Sequence, residues 1–594
     1  MHNPKRFWSF VKCFKQSKGL SVLESGGAQV TDDIGKANLL NRTFASKLSD
    51  PAVTSFPDIT FSITDKLYDF AMSEELVRLL QQLVVGKACG PDGLSARILR
   101  ECAVELAVPL CKLFNMSLRH GIFPEQWAEA NIVPIFKKGS RRDPDNYRSV
   151  SLLPLCAKVF EKIITDQIYT HVSPYLSPYQ HGFIRNRSCA TNLACFVAHG
   201  WTAIKEQAQL DSVYTDFSSA FQSVNHQLLL YKSDTCMYGP ALRWLTYLGR
   251  RKQRVVVGGK VSDWVPAVSG TPEGGHMSAL LFSLFVNDLT SVISTNCLMY
   301  ADDLKIFCLV NSQQDVLRLQ QDVDAVTNWA ADWKLNLNAS KCKSFKITLK
   351  KNFIKSSYTI NGTVLENVGT IRDLGVVLDQ KLTFSDHIDH IASKGNRALG
   401  LLIRTFQSAS PRCKLNRQAI IASYNANVRS ILEYCSVIWG GTARCHVVRI
   451  ERVQHKFLMW LATHSEPSCT DLDYGRLLSF YNIRHLYARR AQSDIMFVCK
   501  LFKGFISSIH LLDCFAIHVP ARTTRAASAT LFSVPSAKSR WSRVNTVVNG
   551  LFVRGPQLIN NLVQFSPQCD VFHDTLGQLK CNTVKFISTL QPVI

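Results

Sequence analysis

Apolar positions recur along this chain with two periods, and the period changes from segment to segment. Leu76, Leu79, Leu80 and Leu83 have helical spacing, and Ser73-Glu74-Glu75 before them reads as a cap on a helix that stops near Gly86. Gly90-Pro91-Asp92-Gly93 is a turn, after which helical periodicity resumes over 98–118. Residues 131–137 read as a short strand, 139–146 as a basic loop and 155–168 as a helix. The β-rich run 212–215 ends at Asp216. Segments 254–257 and 261–265 are strand-like, with Gly258-Gly259 between them as a hairpin turn. Residues 280–289 are apolar with a helical period, and 297–309 form two apolar runs around Asp302-Asp303. Beyond Leu378 the pattern is mainly helical. This irregular mixture predicts an α+β fold rather than a doubly wound parallel sheet.

Composition narrows the picture. The 594 residues are 46% apolar and 19% charged, enough for a large core and too apolar for general disorder. At roughly 100–200 residues per domain the chain holds about three or four folding units. No uncharged apolar run reaches the roughly 18–20 residues of a bilayer span, and Met1-His2-Asn3-Pro4-Lys5-Arg6 lacks the pattern of a secretory signal. The 19 cysteines are odd in number, and no two are separated by two residues. That argues against a disulfide framework and against zinc ribbons, and for reduced thiols in an intracellular protein.

Charge supplies the first functional clue. Lysine and arginine total 68 against 45 acids, a net +23, and residues 381–594 alone hold 26 basic and 11 acidic residues. Such an excess is the footprint of a polyanion, usually nucleic acid; a merely basic soluble protein is the alternative.

Candidate chemistry lies at the acids. Asp302 and Asp303 sit between two apolar runs, where paired carboxylates repel unless a cation offsets them. Mg²⁺ suits that role, because it takes one or two protein carboxylates and completes its shell with phosphates. The alternative is an ordinary Asp-Asp surface turn. Asp216 ends another strand-like run and is a third candidate ligand for a two-metal site, or else the N-cap of a helix beginning near Ser218. Between them, Ser269-Gly270-Thr271-Pro272-Glu273-Gly274-Gly275 precedes the apolar helix, a loop whose backbone can approach a substrate or simply turn.

In that order, these segments resemble the reverse transcriptases of jockey-like non-LTR retrotransposons. The matching stretches are 132–139, 146–153, Gln180-His181-Gly182-Phe183, 216–221, 270–274, 281–289, Tyr300-Ala301-Asp302-Asp303, 338–342 and 373–376, with 431–434 and 450–454 downstream. The resemblance covers nearly the whole chain and is densest over 121–378. It implies a right-hand polymerase with fingers, palm and thumb and a mainly helical C-terminal region. The implied organisation is an N-terminal extension over 1–70, partly flexible, and a helical segment over 71–117. Fingers and palm follow over 118–378, a thumb-like region over 379–470 and a basic helical region over 471–594.

The implied activity is RNA-directed DNA synthesis from a DNA 3′-hydroxyl. The implied partners are an RNA template, a primer or nicked target DNA, and dNTPs, with no membrane. The resemblance implies Asp216, Asp302 and Asp303 as catalytic carboxylates on two Mg²⁺ ions, with Mn²⁺ as an alternative. The Phe217 carbonyl would complete one shell. Phe221 would stack under the sugar and exclude a 2′-hydroxyl. Lys137 and Arg148 would grip the triphosphate, Glu273 and Gly274 would lie beside the nucleotide, and Lys341 would protonate pyrophosphate. Arg449, Arg452 and Lys456 share a helix face by their spacing and could hold template phosphates; a solvated face is the alternative. Nuclear action follows from the family, with the cytoplasm as the alternative. No endonuclease acid-and-histidine set precedes the fingers, so nicking is expected from elsewhere, as for the polymerase portion of an element.

The chain also departs from the family pattern. Glu273 stands where glutamine is usual, Gln222 where an aspartate often follows the aromatic, Ser149 for a proline, Ser278-Ala279 for Gly-Pro, and Ile184 for an arginine. A carboxylate beside a triphosphate is unfavourable unless a cation masks it. A catalytically inactive relative that only binds nucleic acid is therefore the competing expectation. An RNA-dependent RNA polymerase fits less well, because Ala301 and Phe221 stand where those enzymes usually carry glycine and a smaller or polar group. In the thumb, His387, Ile388, Ile391, Ala398, Leu401 and Leu402 have core spacing, and Trp439 and Trp460 are expected to pack rather than stack on bases. Residues 487–500, with Arg489 and Arg490, read as a basic helix, 520–545 as a mobile connection and 546–594 as a small helical cap.

Overall fold

A computed structural model describes residues 20–49, 52–59, 63–70, 75–407, 417–465, 472–518, 530–534 and 550–590. Ser73 and Glu74 of the expected cap, and most of 520–545, lie outside the described residues. The strands come in the order β1 (Leu23–Ser25), β2 (Ala28–Val30), β3 (Glu129–Phe136), β4 (Tyr147–Leu152), β5 (Gln209–Thr215), β6 (Lys252–Val257), β7 (Lys260–Val261) and β8 (Val265–Pro266). They continue with β9 (Asn296–Tyr300), β10 (Asp303–Val310), β11 (Lys343–Ile347), β12 (Thr359–Ile360), β13 (Thr363–Val364), β14 (Glu366–Val368), β15 (Thr370–Asp373) and β16 (Val376–Asp379).

Two five-stranded sheets organise the first 380 residues. One has the order β4-β3-β6-β7, with β8 also on β6; the other runs β14-β11-β5-β10-β9. In the first sheet buried and open positions alternate along β4 and β6. Its apolar face, with Ala130, Ile132, Tyr147, Val255 and Val257, closes on Ala37, Leu40 and Phe44 of the Asp33–Ala45 helix.

The second sheet is covered on both faces at its β9–β10 hairpin, which explains why those two strands read as nearly continuous apolar runs. Along β10, Leu304, Ile306 and Val310 join one core with Leu319, Val323 and Val326 of the Gln313–Asp332 helix. Phe307, pointing the other way, joins a second core with Leu193 and Phe196 of the Cys189–Lys205 helix. Alternation of side chains along one strand thus ties two cores together. The second core extends through the helices Ser385–Gln407, Arg444–Ser465, Leu486–Phe502, Leu551–Phe565 and Leu576–Ser588. The last two are the helical cap expected near the end of the chain.

The α+β expectation holds, and several local expectations are corrected. The helix near Leu76 is short, Leu76–Gln81, and Glu75 gives it no side-chain cap. The helix expected over 98–118 is two, Ala96–Glu101 and Ala103–His120, because Cys102 leaves helical geometry with ψ 28°. The helix at 280–289 ends at Phe285 and continues as a tighter 3₁₀ turn. That turn carries Asp288 inward to Lys232 at 2.6 Å, where the ammonium also lies over the Trp333 ring. Asp216 caps no helix, since the helix after it, Ala220–Ser223, begins from Ser219.

Leu401 faces solvent, while His387, Ile388, Ile391 and Leu402 are buried and Ala398 is half-buried. The basic helix of 487–500 exists as Leu486–Phe502, but its arginines are not a solvated face. Arg490 is buried over the Trp439 ring, and Arg489 pairs with Glu433. Trp439 is buried in packing, as expected, with its indole N–H on the Tyr434 carbonyl. Described cysteines are free thiols. Among the described residues no helix is long and apolar enough to cross a membrane.

Candidate active site at the acidic hairpin

The sheet register gathers the three acids. β10 pairs antiparallel with β5, with Leu304 opposite Thr215. The residue after Thr215 and the residues before Leu304 therefore emerge at the same end of a buried sheet. Asp303 pairs with Tyr300 across the β9–β10 hairpin, leaving Ala301 and Asp302 as its turn.

Ala301 has a left-handed backbone, φ +58°, which a side chain with a Cβ disfavours. Gln180 holds it there. Its Nε2 donates to the Ala301 carbonyl at 3.1 Å, and its Oε1 accepts from the Ala301 N–H at 3.0 Å and the Gly182 N–H at 2.8 Å. A Cβ on Gly182 would stand 2.2 Å from the Ala301 nitrogen, so only glycine fits. The Gln180-His181-Gly182 stretch stood out in the sequence, but nothing in its local pattern gives this role.

The carboxyls feel one another. Burial, followed by the nearby charge of Asp216, raises the Asp302 pKa, while Arg148 and Lys137 offset part of the rise. Asp303 is pushed up to about 6 by desolvation and by the charges of Asp302, Asp373 and Asp216. Asp216 pairs with the Lys341 ammonium at 3.0 Å. The bonds bridging Phe217 to Leu337 run through Asp216 and Ser218, so the Phe217 carbonyl takes no part in them.

Among the described residues, no three His, Cys, Asp or Glu side chains converge tightly enough to hold an ion alone. The donor chemistry nevertheless suits Mg²⁺, which fills much of its octahedron with water and substrate phosphate.

The residues expected on the nucleotide side lie near the acids. Lys137 and Arg148 lie at the open end of the β3–β4 hairpin, closed by the bond from the Lys137 N–H to the Asn146 carbonyl at 2.8 Å; both side chains are exposed. The Phe221 ring stacks on Phe282 with centroids 4.3 Å apart and meets Phe183 edge-on at 5.9 Å. Glu273 pairs with Arg148 at 3.2 Å, and its carbonyl accepts from the Ser151 N–H at 2.8 Å. Next to it Gly274 takes φ +126°, with its Cβ position 2.7 Å from the Ser151 carbonyl oxygen.

Beneath this loop lies a buried polar cluster that sequence reading missed. Glu161 accepts from the Tyr247 hydroxyl at 2.7 Å and the His276 N–H at 3.2 Å, while Arg251 donates to the Gly270 carbonyl at 3.1 Å. Lys305 was missed as well. It is buried two residues past Asp303 and pairs with Asp373 at 2.5 Å, where the Tyr214 hydroxyl also donates. A cavity of about 320 Å³ opens beside the acids, lined among others by Tyr214, Asp216, Asp303, Lys341, Lys343 and Arg372.

Arg449, Arg452 and Lys456 do share an exposed face of the Arg444–Ser465 helix, opposite buried Ile450, Val453 and Phe457. Arg449 is ion-paired with Asp389 on the neighbouring helix.

Residues 135–378, which carry the β14-β11-β5-β10-β9 sheet and the three acids, match the family model for reverse transcriptase (RNA-dependent DNA polymerase). The chain thus carries a reverse transcriptase domain. Its curated relatives are proteins of mobile elements. It is 29% identical over 402 residues to the RNA-directed DNA polymerase from mobile element jockey of Drosophila melanogaster and 30% over 404 residues to that of Drosophila funebris. Each alignment takes in 65% of this chain and 43% of the relative. A probable RNA-directed DNA polymerase from transposon X-element of Drosophila melanogaster is 25% identical over 470 residues, 76% of this chain and 51% of that protein. The chain spans about half the length of the curated relatives it matches.

Proposed function

We propose that this chain is an RNA-directed DNA polymerase of a non-LTR retrotransposon, adding dNTPs to a DNA 3′-hydroxyl on an RNA template. The observation that carries the reading is the β5–β10 register, which brings Asp216 to the end of the sheet where the Asp302-Asp303 turn lies. Asp216, Asp302, Asp303 and the Phe217 carbonyl would hold two Mg²⁺ ions, or Mn²⁺. Such ions, when bound, supply activation of the 3′-hydroxyl and charge neutralisation on the triphosphate.

The chain's own groups do the rest. Lys137 and Arg148 donate to phosphate oxygens, and guanidinium geometry suits Arg148 for this. The Phe221 face lies under the sugar, leaving no room for a 2′-hydroxyl. Gly274 lets the backbone come close to the nucleotide. Lys341, released from Asp216, gives a proton to departing pyrophosphate. Positioning and fixed charge carry most of the acceleration. A catalytically inactive relative that only binds nucleic acid is the alternative reading; Glu273, which motivates it, is paired with Arg148.

Extension of oligo(dT) on poly(rA) with Mg²⁺ tests the reading. The wild type should incorporate dTTP and discriminate against UTP, and Asp302→Ala should abolish extension while template–primer binding stays within about threefold, since one carboxylate is absent from the phosphate contacts that dominate affinity. Normal extension by Asp302→Ala would remove the acid from its role, and UTP used at the dTTP rate would remove Phe221 from its role.

A further inference from the structure

Ser149, Gln222 and Glu273 lie with Arg148 in one hydrogen-bonded cluster. The Gln222 amide donates to Glu273 Oε1 at 3.2 Å and to the Ser149 hydroxyl at 3.0 Å. The other oxygen of Glu273 takes the Arg148 guanidinium at 3.2 Å, and the Glu273 carbonyl is fixed by the Ser151 N–H. Both carboxylate oxygens and the carbonyl of Glu273 are therefore occupied.

The three residues make chemical sense together. Proline at 149 has no hydroxyl to offer, and aspartate at 222 would set a second negative charge against Glu273. Glutamine at 273 would leave Arg148 without a counter-charge.

We propose that Glu273 is a latch on Arg148, supported by Gln222 and Ser149, so that nucleotide enters by anion exchange: the triphosphate must displace the carboxylate from the guanidinium. This rests on the polymerase reading, in which Arg148 faces the triphosphate. The latch has a specificity consequence. A multiply charged triphosphate competes well with one carboxylate for the guanidinium, whereas a nucleoside monophosphate competes poorly. Lys137 and Asp302 are the other charged groups acting on Glu273; the first favours release of Arg148 by offering the carboxylate another cation.

The test is a double-mutant cycle on dTTP affinity. The full chain is bound to poly(rA) with a dideoxy-terminated oligo(dT) primer and Mg²⁺, so that binding is read without chemistry. Glu273→Gln should bind dTTP about two- to fivefold tighter, the range an exposed ion pair carries. That gain should vanish when Arg148→Gln is combined with it.

An unchanged or weaker affinity in Glu273→Gln overturns the latch. A gain of equal size in the Arg148→Gln background also overturns it, because Glu273 would then act by plain repulsion of phosphate. Wild-type binding of dTTP without extension of an ordinary primer would reject the polymerase reading and leave the latch to be decided by the cycle. No binding in any of the four proteins would reject both.

Discussion

Ala301 holds a left-handed backbone because a glutamine far earlier in the chain satisfies both its N–H and its carbonyl. The carboxylate beside it is aimed by that turn, so Gln180 is a positioning residue for Asp302. Gln180→Ala should strand buried backbone groups at a cost of roughly 1–3 kcal/mol. The expected result is a lower melting temperature and a kcat reduced about tenfold or more, with the dNTP KM little changed, since misplacement of reacting groups acts on the chemical step. A KM effect with kcat intact would place Gln180 on the nucleotide instead. The contrast with the acids shows what was legible here. Asp216, Asp302 and Asp303 each stand at the edge of an apolar run, so the chain's own periodicity points to them. Gln180, Lys305 and Glu161 are polar residues whose partners lie 121, 68 and 86 positions away, and no local pattern records such a distance.

Elements were legible where one period held and obscure where the tertiary setting broke it. The β9–β10 hairpin followed its two apolar runs. The helix at 98–118 did not, because a single residue, Cys102, interrupts it without a proline or glycine to announce the break. The β15–β16 hairpin illustrates how elements are joined around the site. Asp373 ties it to the sheet through Lys305, the Tyr434 hydroxyl donates to the Leu374 carbonyl at 2.9 Å, and His387 Nδ1 accepts from the Val377 N–H at 3.2 Å. That last bond requires an unprotonated Nδ1. Burial, and then the positive surroundings of His390 and Arg372, lower the His387 pKa to about 4. The unfolded chain thus binds more protons between about pH 4 and 6.5, and the stability from neutral His387 is present above that window and lost as pH falls through it. At pH 5 the loss is on the order of 2 kcal/mol for this one group. Hydrogen exchange over the hairpin, corrected for intrinsic rates, should show easier opening at pH 5 than at pH 7. His387→Asn, whose oxygen can still accept from Val377, should flatten that difference; an unaltered pH dependence would mean another group sets it.

At the scale of the whole molecule, net charge announced a polyanion partner but not where it would lie. Several C-terminal arginines are engaged internally. Arg489 is paired with Glu433, Arg554 with Asp494, and Arg490 is buried over Trp439. Counting cations in sequence overstates the surface that can meet phosphate, because pairing depends on helices distant in the chain. Arg452 and Lys456 are different. They are exposed on the Arg444–Ser465 helix and form no ion pair among the described residues, whereas Arg449 is held by Asp389. If this face follows the template, each contact releases counterions, and the slope of log affinity against log salt falls by about 0.7–0.9 for each one lost. Arg452→Gln with Lys456→Gln should therefore flatten the slope by about 1.4–1.8 and weaken binding uniformly across sequences. Arg449→Gln should change it less, since Asp389 already competes for that guanidinium. Fluorescence anisotropy of a labelled RNA–DNA duplex, titrated at several KCl concentrations, reads both quantities. A slope unchanged in the double variant would make the face a solvated one and move the template path to the basic residues lining the cavity beside Asp303.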